Sequence, residues 1–504
     1  MPSPPNPETP NPDTSHPDTP TPAQDGTTGD PVRKPVQELV QELVQEPVQE
    51  LVQLDALGPR GAFRARNRQV VTDVTGRPAA ELSLVPPPFV SRTHSVLRRA
   101  APAPADERVR RIAAAADLFA TGTVAGLSVA EYRLLVSRVG GVPLTEVTSA
   151  VGRIAERLRD IATGIAQARP AGAVTDWRDP LVRSGRAVHT RRGDTFAVHA
   201  AGNHPGTHSL WPEALALGFR VAVRPSRREP FTPHRLVSAL RLAGFGNDEI
   251  TLLPTDHAGA DAVLRGADLG LVYGGEDVVR KYGADPTVLL QGPGRSKVLL
   301  TADVDWRDHL DTIVDSVAGR GGTGCVNTTA VLVEGDPTPL CEALAERFSA
   351  LPSLPPDHPK AVLPVQPAAG ARALAEYVGR RAAGARAWLG ADTVADELGD
   401  GSAVLRPAVH QLDRADAPQL GAELPFPCVW VAPWRPADGI APLRDSLVLT
   451  ALTHQEPLLD GLLAEPSIAN LYVGDHPTHW MRPGLPHDGY LSDFLMRTKT
   501  VVRD

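Results

Sequence analysis

The chain has 504 residues, enough to bury more than one core, so two domains plus a tail are expected. Its 51 Lys and Arg against 59 Asp and Glu leave a net charge of −8, which excludes a global basic surface for nucleic acid. Three cysteines, Cys325, Cys341 and Cys428, lack the close spacing of a zinc or redox pair, and no apolar run is long enough to span a bilayer.

Free thiols, no signal-peptide pattern and no membrane span together predict a cytoplasmic protein with no nucleic-acid or membrane partner. In chain order, residues 1 to about 35 are rich in Pro, Thr, Asp and Asn and predict a disordered tail. The repeat VQELVQELVQEPVQELVQ (36–53) places Val36, Leu39, Val40, Leu43 and Val44 at helical spacing, broken at Pro47. It reads either as a partner-binding helix or as an expanded tail, and the tail is taken to end at residue 54. Residues 68–85 predict strands around a turn at Gly76, and helices are expected over 106–120, 128–138 and 143–168. The stretch 182–198 breaks at Arg192-Gly193-Asp194 and predicts a hairpin running into a buried strand. From there to 318, short apolar runs alternate with helical stretches, the pattern of a doubly wound parallel sheet. A second α/β domain is expected over 319–480, then a C-terminal loop and strand over 481–504.

The chemistry centres on Cys325. In GRGGTGCVNTTAVLVEGD (319–336), four glycines precede it and a β-branched strand follows. Glycine lets the backbone approach a ligand closely. A thiol on such a turn can reach substrate with N–H groups nearby for an oxyanion. Its ordinary pKa of about 8.5 requires local activation for attack at neutral pH.

Five segments carry a resemblance. The strand, loop and helix from Phe196 contain Asn203, followed by His204 and Pro205, and lead into VRPSRRE. LVYGGEDVVRKYG (271–283) opens a helix after Gly274 and Gly275; VLLQGPGRSKVLL follows, then Cys325, then ELPFPCVW (423–430). In this order the segments resemble the aldehyde dehydrogenase superfamily over about 180–435, and most nearly its acyl-CoA reductase branch. The resemblance implies an α/β fold with a Rossmann-type cofactor domain over 55–318, a catalytic domain over 319–480 and a β-hairpin oligomerisation flap.

It further implies that Cys325 attacks an aldehyde or acyl thioester while the Asn203 amide and the Cys325 N–H hold the oxyanion. Arg224, Ser226, Arg227, Gly274, Gly275 and Phe426 would face a nicotinamide dinucleotide, although Phe426 reads equally as a packing residue. Three departures from the family pattern matter. Gln291 stands in place of the general-base Glu, and an amide cannot take a proton from water, which points to acyl-thioester chemistry with CoA or a carrier protein. Glu423 falls one place from the family's ribose-binding Glu, leaving Leu424 there, and is not assigned. Arg227 stands where NAD-users commonly carry Glu, which favours NADP, with NAD as the alternative. His204 and His208 share an H-x-x-x-H spacing with no nearby acidic or Cys partner, so no metal is assigned. Trp480, Met481 and Leu485 border either the substrate tunnel or an interface, and a homodimer or homotetramer is expected. The function read from these residues is interconversion of an acyl thioester and an aldehyde. Hydrolytic aldehyde oxidation, or a non-catalytic binding protein on the same fold, remains the alternative.

Overall fold

A computed structural model describes residues 51–504, which form one compact unit. The Pro-rich segment and nearly all of the VQEL repeat lie outside the described residues. The expected tail ends earlier than residue 54, because Val52–Leu54 is a strand paired in parallel with Ala80–Leu82. The strands around Gly76 are Arg68–Thr72 and Pro78–Ser83, and they pair antiparallel.

The helical readings correspond to Ala105–Thr121, Val129–Gly140, Leu144–Arg159 and Ile161–Ala168. Local chemistry sets their ends. Ser128 and Glu131 form a reciprocal capping box at the start of Val129–Gly140. Gly141 ends that helix at φ 67, where an added Cβ would lie 1.8 Å from the Val365 carbonyl oxygen. Helix Leu144–Arg159 buries Val147, Ala150, Val151, Ile154, Ala155 and Leu158 along one stripe, and so directs Arg153 and Arg157 elsewhere.

The first large sheet has the strand order Val288–Gln291, Leu269–Tyr273, Thr195–His199, Arg220–Arg224, Ile250–Leu252, Ala56–Gly58, Gly61–Phe63. Its first five strands are parallel, and Ala56–Gly58 pairs antiparallel with the neighbour on each side. Thr195–His199 is buried at every position, as a central parallel strand requires. From this strand the chain steps outward through 220–224 and 250–252, then returns to its other side with 269–273. The order therefore reverses between Thr195–His199 and Leu269–Tyr273, and in open α/β sheets the crevice beyond the carboxyl ends at such a reversal is the ligand position.

The second large sheet runs Arg386–Leu389, Ala408–Gln411, Cys428–Trp434, Thr328–Glu334, Ser296–Leu300, Ser446–Leu452, Ile468–Val473, all parallel except the first pairing. Two expectations are corrected here. Ser296–Leu300 was assigned to the cofactor domain, but it lies between two catalytic-domain strands, so the change of sheet falls between Gln291 and Ser296 rather than at 318. The expected hairpin over 182–198 does not form. Arg186–Arg191 pairs with Met496–Val501, while Thr195–His199 enters the central sheet. The turn residues break the strand, but the partner is supplied from the C-terminus. Among the described residues no helix is long and apolar enough to cross a membrane.

Candidate active site

Cys325 lies on the turn between Gly319–Gly322 and the central strand Thr328–Glu334. Buried Asn327 shapes this turn: its Oδ1 accepts from Gly324 N at 2.9 Å, and its Nδ2 donates to Gly319 O at 2.8 Å and Ser316 O at 3.2 Å. Gly294 packs so closely that a Cβ there would lie 1.8 Å from the Cys325 carbonyl oxygen, which accepts from Ser296 Oγ at 3.1 Å. The turn is thus braced from two sides. Cys325 is half-buried, whereas Cys341 and Cys428 are buried in the core. Burial pushes Cys341 up to about 12 and raises Cys428 as well, so neither is poised to form a thiolate.

Asn203 shares a cavity of about 150 Å³ with Cys325. Its Nδ2 donates to the Thr323 carbonyl at 3.1 Å, which ties the loop after Thr195–His199 to the cysteine turn and leaves a second amide hydrogen for an oxyanion. Gln291 ends the edge strand of the first sheet, is buried, and donates from Nε2 to Asp488 Oδ1 at 2.6 Å.

The residue beside Asp488 was not singled out from sequence. His487 Nε2 lies 3.7 Å from Cys325 Sγ, and its Nδ1 lies 3.5 Å from Asp488 Oδ1. Burial works against a charged imidazole at His487. The Asp488 carboxylate and the Cys325 sulfur outweigh that burial and raise its pKa. The C-terminal loop carrying this pair is held by Asn470, which donates to His487 O and, at 2.8 Å, to Leu447 O. Thr478 further pins the loop to Thr328 at 3.0 Å. Thiol, imidazole and carboxylate therefore stand in sequence, with Gln291 fixing the carboxylate. The only sequence signal was a His-Asp pair in LPHDGY, 162 residues from the cysteine.

The remaining expected residues divide. Arg224, Ser226 and Arg227 follow strand Arg220–Arg224, next to the reversal point, and Gly202 meets them so closely that a Cβ would lie 2.2 Å from Ser226 Oγ. Arg224 Nε donates to Thr255 Oγ1 at 2.9 Å, and Arg227 lies 2.7 Å from His257 Nε2. Gly274 N donates to Gln291 O at 3.1 Å, and Gly275 caps helix Glu276–Tyr282 with open space where a Cβ would be. This donor set, rich in guanidinium and open backbone, fits the ribose and phosphates of a dinucleotide.

Phe426 does not join the group. It is 2 % exposed and packs in the catalytic-domain core with Leu420, Cys428 and Trp430, so the packing reading describes it. Glu423 accepts from Gly294 N at 2.8 Å. His204 Nε2 donates to Glu146 Oε1 at 2.9 Å, and buried His208 accepts from Trp211 Nε1 at 3.3 Å, so the two histidines face different partners. Met481 lines the Cys325 cavity, while Trp480 packs edge-on against Tyr472 instead.

A dinucleotide-type sheet with its reversal point beside a braced cysteine defines an α/β oxidoreductase architecture. Residues 92–438 match the aldehyde dehydrogenase family, and the chain belongs to that family. A curated aldehyde-dehydrogenase-like protein of Sinorhizobium fredii is 27 % identical over 135 residues, and that match spans about a quarter of each chain (26 %). The aldehyde dehydrogenase KauB of Pseudomonas aeruginosa superimposes with a TM-score of 0.76 at 16 % identity, covering 89 % of this chain and 96 % of that one. An indole-3-acetaldehyde dehydrogenase of P. syringae, solved with NAD+, gives 0.76 at 16 % identity over 90 % and 97 %. At these identities the structural likeness establishes the aldehyde dehydrogenase fold.

Proposed function

We propose that this chain interconverts an acyl thioester and an aldehyde with NADP(H), through a thioacyl intermediate on Cys325. The observation that carries this reading is Gln291: a buried amide, already donating to Asp488, occupies the strand end where hydrolysis would need a base. In the oxidative direction, His487 takes the Cys325 proton and Asp488 steadies the resulting imidazolium. The thiolate adds to the carbonyl carbon, the C=O pair moves to oxygen, and the Asn203 amide with the Cys325 N–H meets that charge. A bound nicotinamide dinucleotide supplies the hydride acceptor, or the donor in the reductive direction. An incoming thiolate then takes the acyl group and returns the electron pair to Cys325 Sγ. Arg224, Ser226, Arg227, Gly274 and Gly275 would hold the dinucleotide, and Arg227 beside His257 favours a 2′-phosphate.

A second reading is hydrolytic oxidation to a carboxylate. The 3.7 Å approach of His487 to Cys325 favours it, because the imidazolium formed from the thiol proton can release that proton to solvent and then, as imidazole, take one from an attacking water. Incubation with NADP+ and an aldehyde panel, with and without CoA, separates the two. Thiol-dependent NADPH and thioester formation is expected. Full turnover to carboxylate without a thiol overturns the lead reading in favour of hydrolysis. If there is no turnover and Cys325 is alkylated by iodoacetamide no faster than Cys341 and Cys428, the chain is a binding protein on this fold. The two-stranded ribbon of Arg186–Arg191 and Met496–Val501, whose second strand is largely exposed, is the proposed homo-oligomer contact, checked by light scattering before and after deleting 496–504. An unchanged mass excludes it.

A further inference from the structure

The cavity over Cys325 is rich in cationic side chains: Arg153, Arg157, Arg320 and Arg482 all line it. Arg153 is neutralised by Glu146. Among the described residues, the guanidinium groups of Arg157, Arg320 and Arg482 make no hydrogen bond or ion pair. The single carboxylate in the lining, Glu156, is exposed.

Arg320 carries a second, independent observation. It sits at φ 56, ψ 27 within the turn that leads to Cys325, directly before Gly321 and Gly322, which are also left-handed. A side chain there meets the backbone clash that glycine avoids. Glycine would remove that strain, so the position is best explained by what the side chain does. Burial and the neighbouring Arg153 work against its charge, Glu146 and Asp315 offset them only in part, and an anion in the cavity would add to that offset.

We propose that this pocket selects an anionic substrate: a short aldehyde or acyl group whose far end carries a carboxylate or phosphate gripped by Arg157 and Arg320, with Arg482 at the mouth. The planar guanidinium fork matches either anion, and a cavity of about 150 Å³ limits the occupant to roughly the bulk of a benzene ring. This inference rests on Cys325 being the reacting thiol.

The first test needs no turnover. Cys325 is alkylated with iodoacetate and with iodoacetamide, and the rate ratio is referred to N-acetylcysteine. A ratio about tenfold above that reference is expected. R157A and R320A should each lower it, and R320K should restore most of it. R157A covers the case in which altering the left-handed turn at Arg320 disturbs folding. A ratio equal to that of N-acetylcysteine, or one that neither variant changes, overturns the proposal. The second test compares butanal, 4-oxobutanoate and glyceraldehyde 3-phosphate as substrates. A KM at least about tenfold lower for one of the anions is expected, and which one identifies carboxylate or phosphate as the source. Equal kcat/KM for charged and neutral aldehydes overturns the anion site and leaves the redox reading intact. A raised iodoacetate ratio with no turnover on any of the three overturns the redox reading and leaves the anion site standing.

Discussion

The cofactor face and the substrate face of this site are assembled in different ways. The proposed cofactor face is made of loops that leave the two strands flanking Thr195–His199 in one sheet: Arg224 to Arg227 after Arg220–Arg224, and Gly274 and Gly275 after Leu269–Tyr273. The proposed substrate face gathers Arg157 from helix Leu144–Arg159, Asn203 from the loop after Thr195–His199, Arg320 and Cys325 from the catalytic-domain turn, and His487 from a loop near the C-terminus. Strand order positions the first set automatically. The second exists only because the C-terminal segment folds back over the cysteine. The cofactor face should therefore tolerate substitution with graded losses, while the substrate face should fail abruptly when one distant contributor is removed.

The largest effect is expected at His487. H487A should lower kcat by about 10²- to 10⁴-fold, and H487Q should do the same while shifting the alkaline-side pH profile of Cys325 alkylation. If H487A keeps wild-type turnover, the imidazole plays no part and the contrast between the faces collapses. Next is N203A, where loss of one oxyanion donor should lower kcat by about 10²-fold with little change in cofactor affinity. A purely KM effect would place Asn203 in binding instead.

Beneath the cofactor face, Glu229 accepts from Thr232 N at 2.9 Å, and burial raises its pKa to about 7. From the unfolded value near 4.5 up to about 7, the folded state holds the proton that the unfolded state has lost, so stability falls as pH rises through this window. E229Q removes that loss. Its stability advantage over wild type should grow by about 2 kcal/mol between pH 5 and pH 8, measured by urea denaturation. A pH-independent difference would show that Glu229 does not titrate there. The smallest effect is R227E, which should shift the NADP-to-NAD preference by about tenfold without altering alkylation of Cys325. An unchanged preference would mean that Arg227 serves only His257 and Gln69.

How much was legible follows the same division. The strands around 195–273 could be read because each is a short apolar run bounded by turn residues, and burial on both faces leaves no other use for such runs. Glycine crowding marks Cys325 locally, whereas Asn203 was legible only through the resemblance of its strand, loop and helix to the family's segment. Ser296–Leu300 was assigned to the wrong sheet, since an all-buried strand looks alike in either. The hairpin over 182–198 failed because alternation gives a strand its faces but not its neighbour.

By itself, then, the sequence determined the α/β class and the parallel character of the central strands, which follow from residue type and local spacing. Its resemblance to the family's ordered segments singled out Cys325 among three thiols and Gln291 in the place of a carboxylate. Only the tertiary structure decided that Asp488 receives the Gln291 amide, that His487 stands 3.7 Å from Cys325, and that Arg157 and Arg320 share its cavity. Such contacts join segments far apart in the chain, and no local pattern specifies which loop closes over which turn.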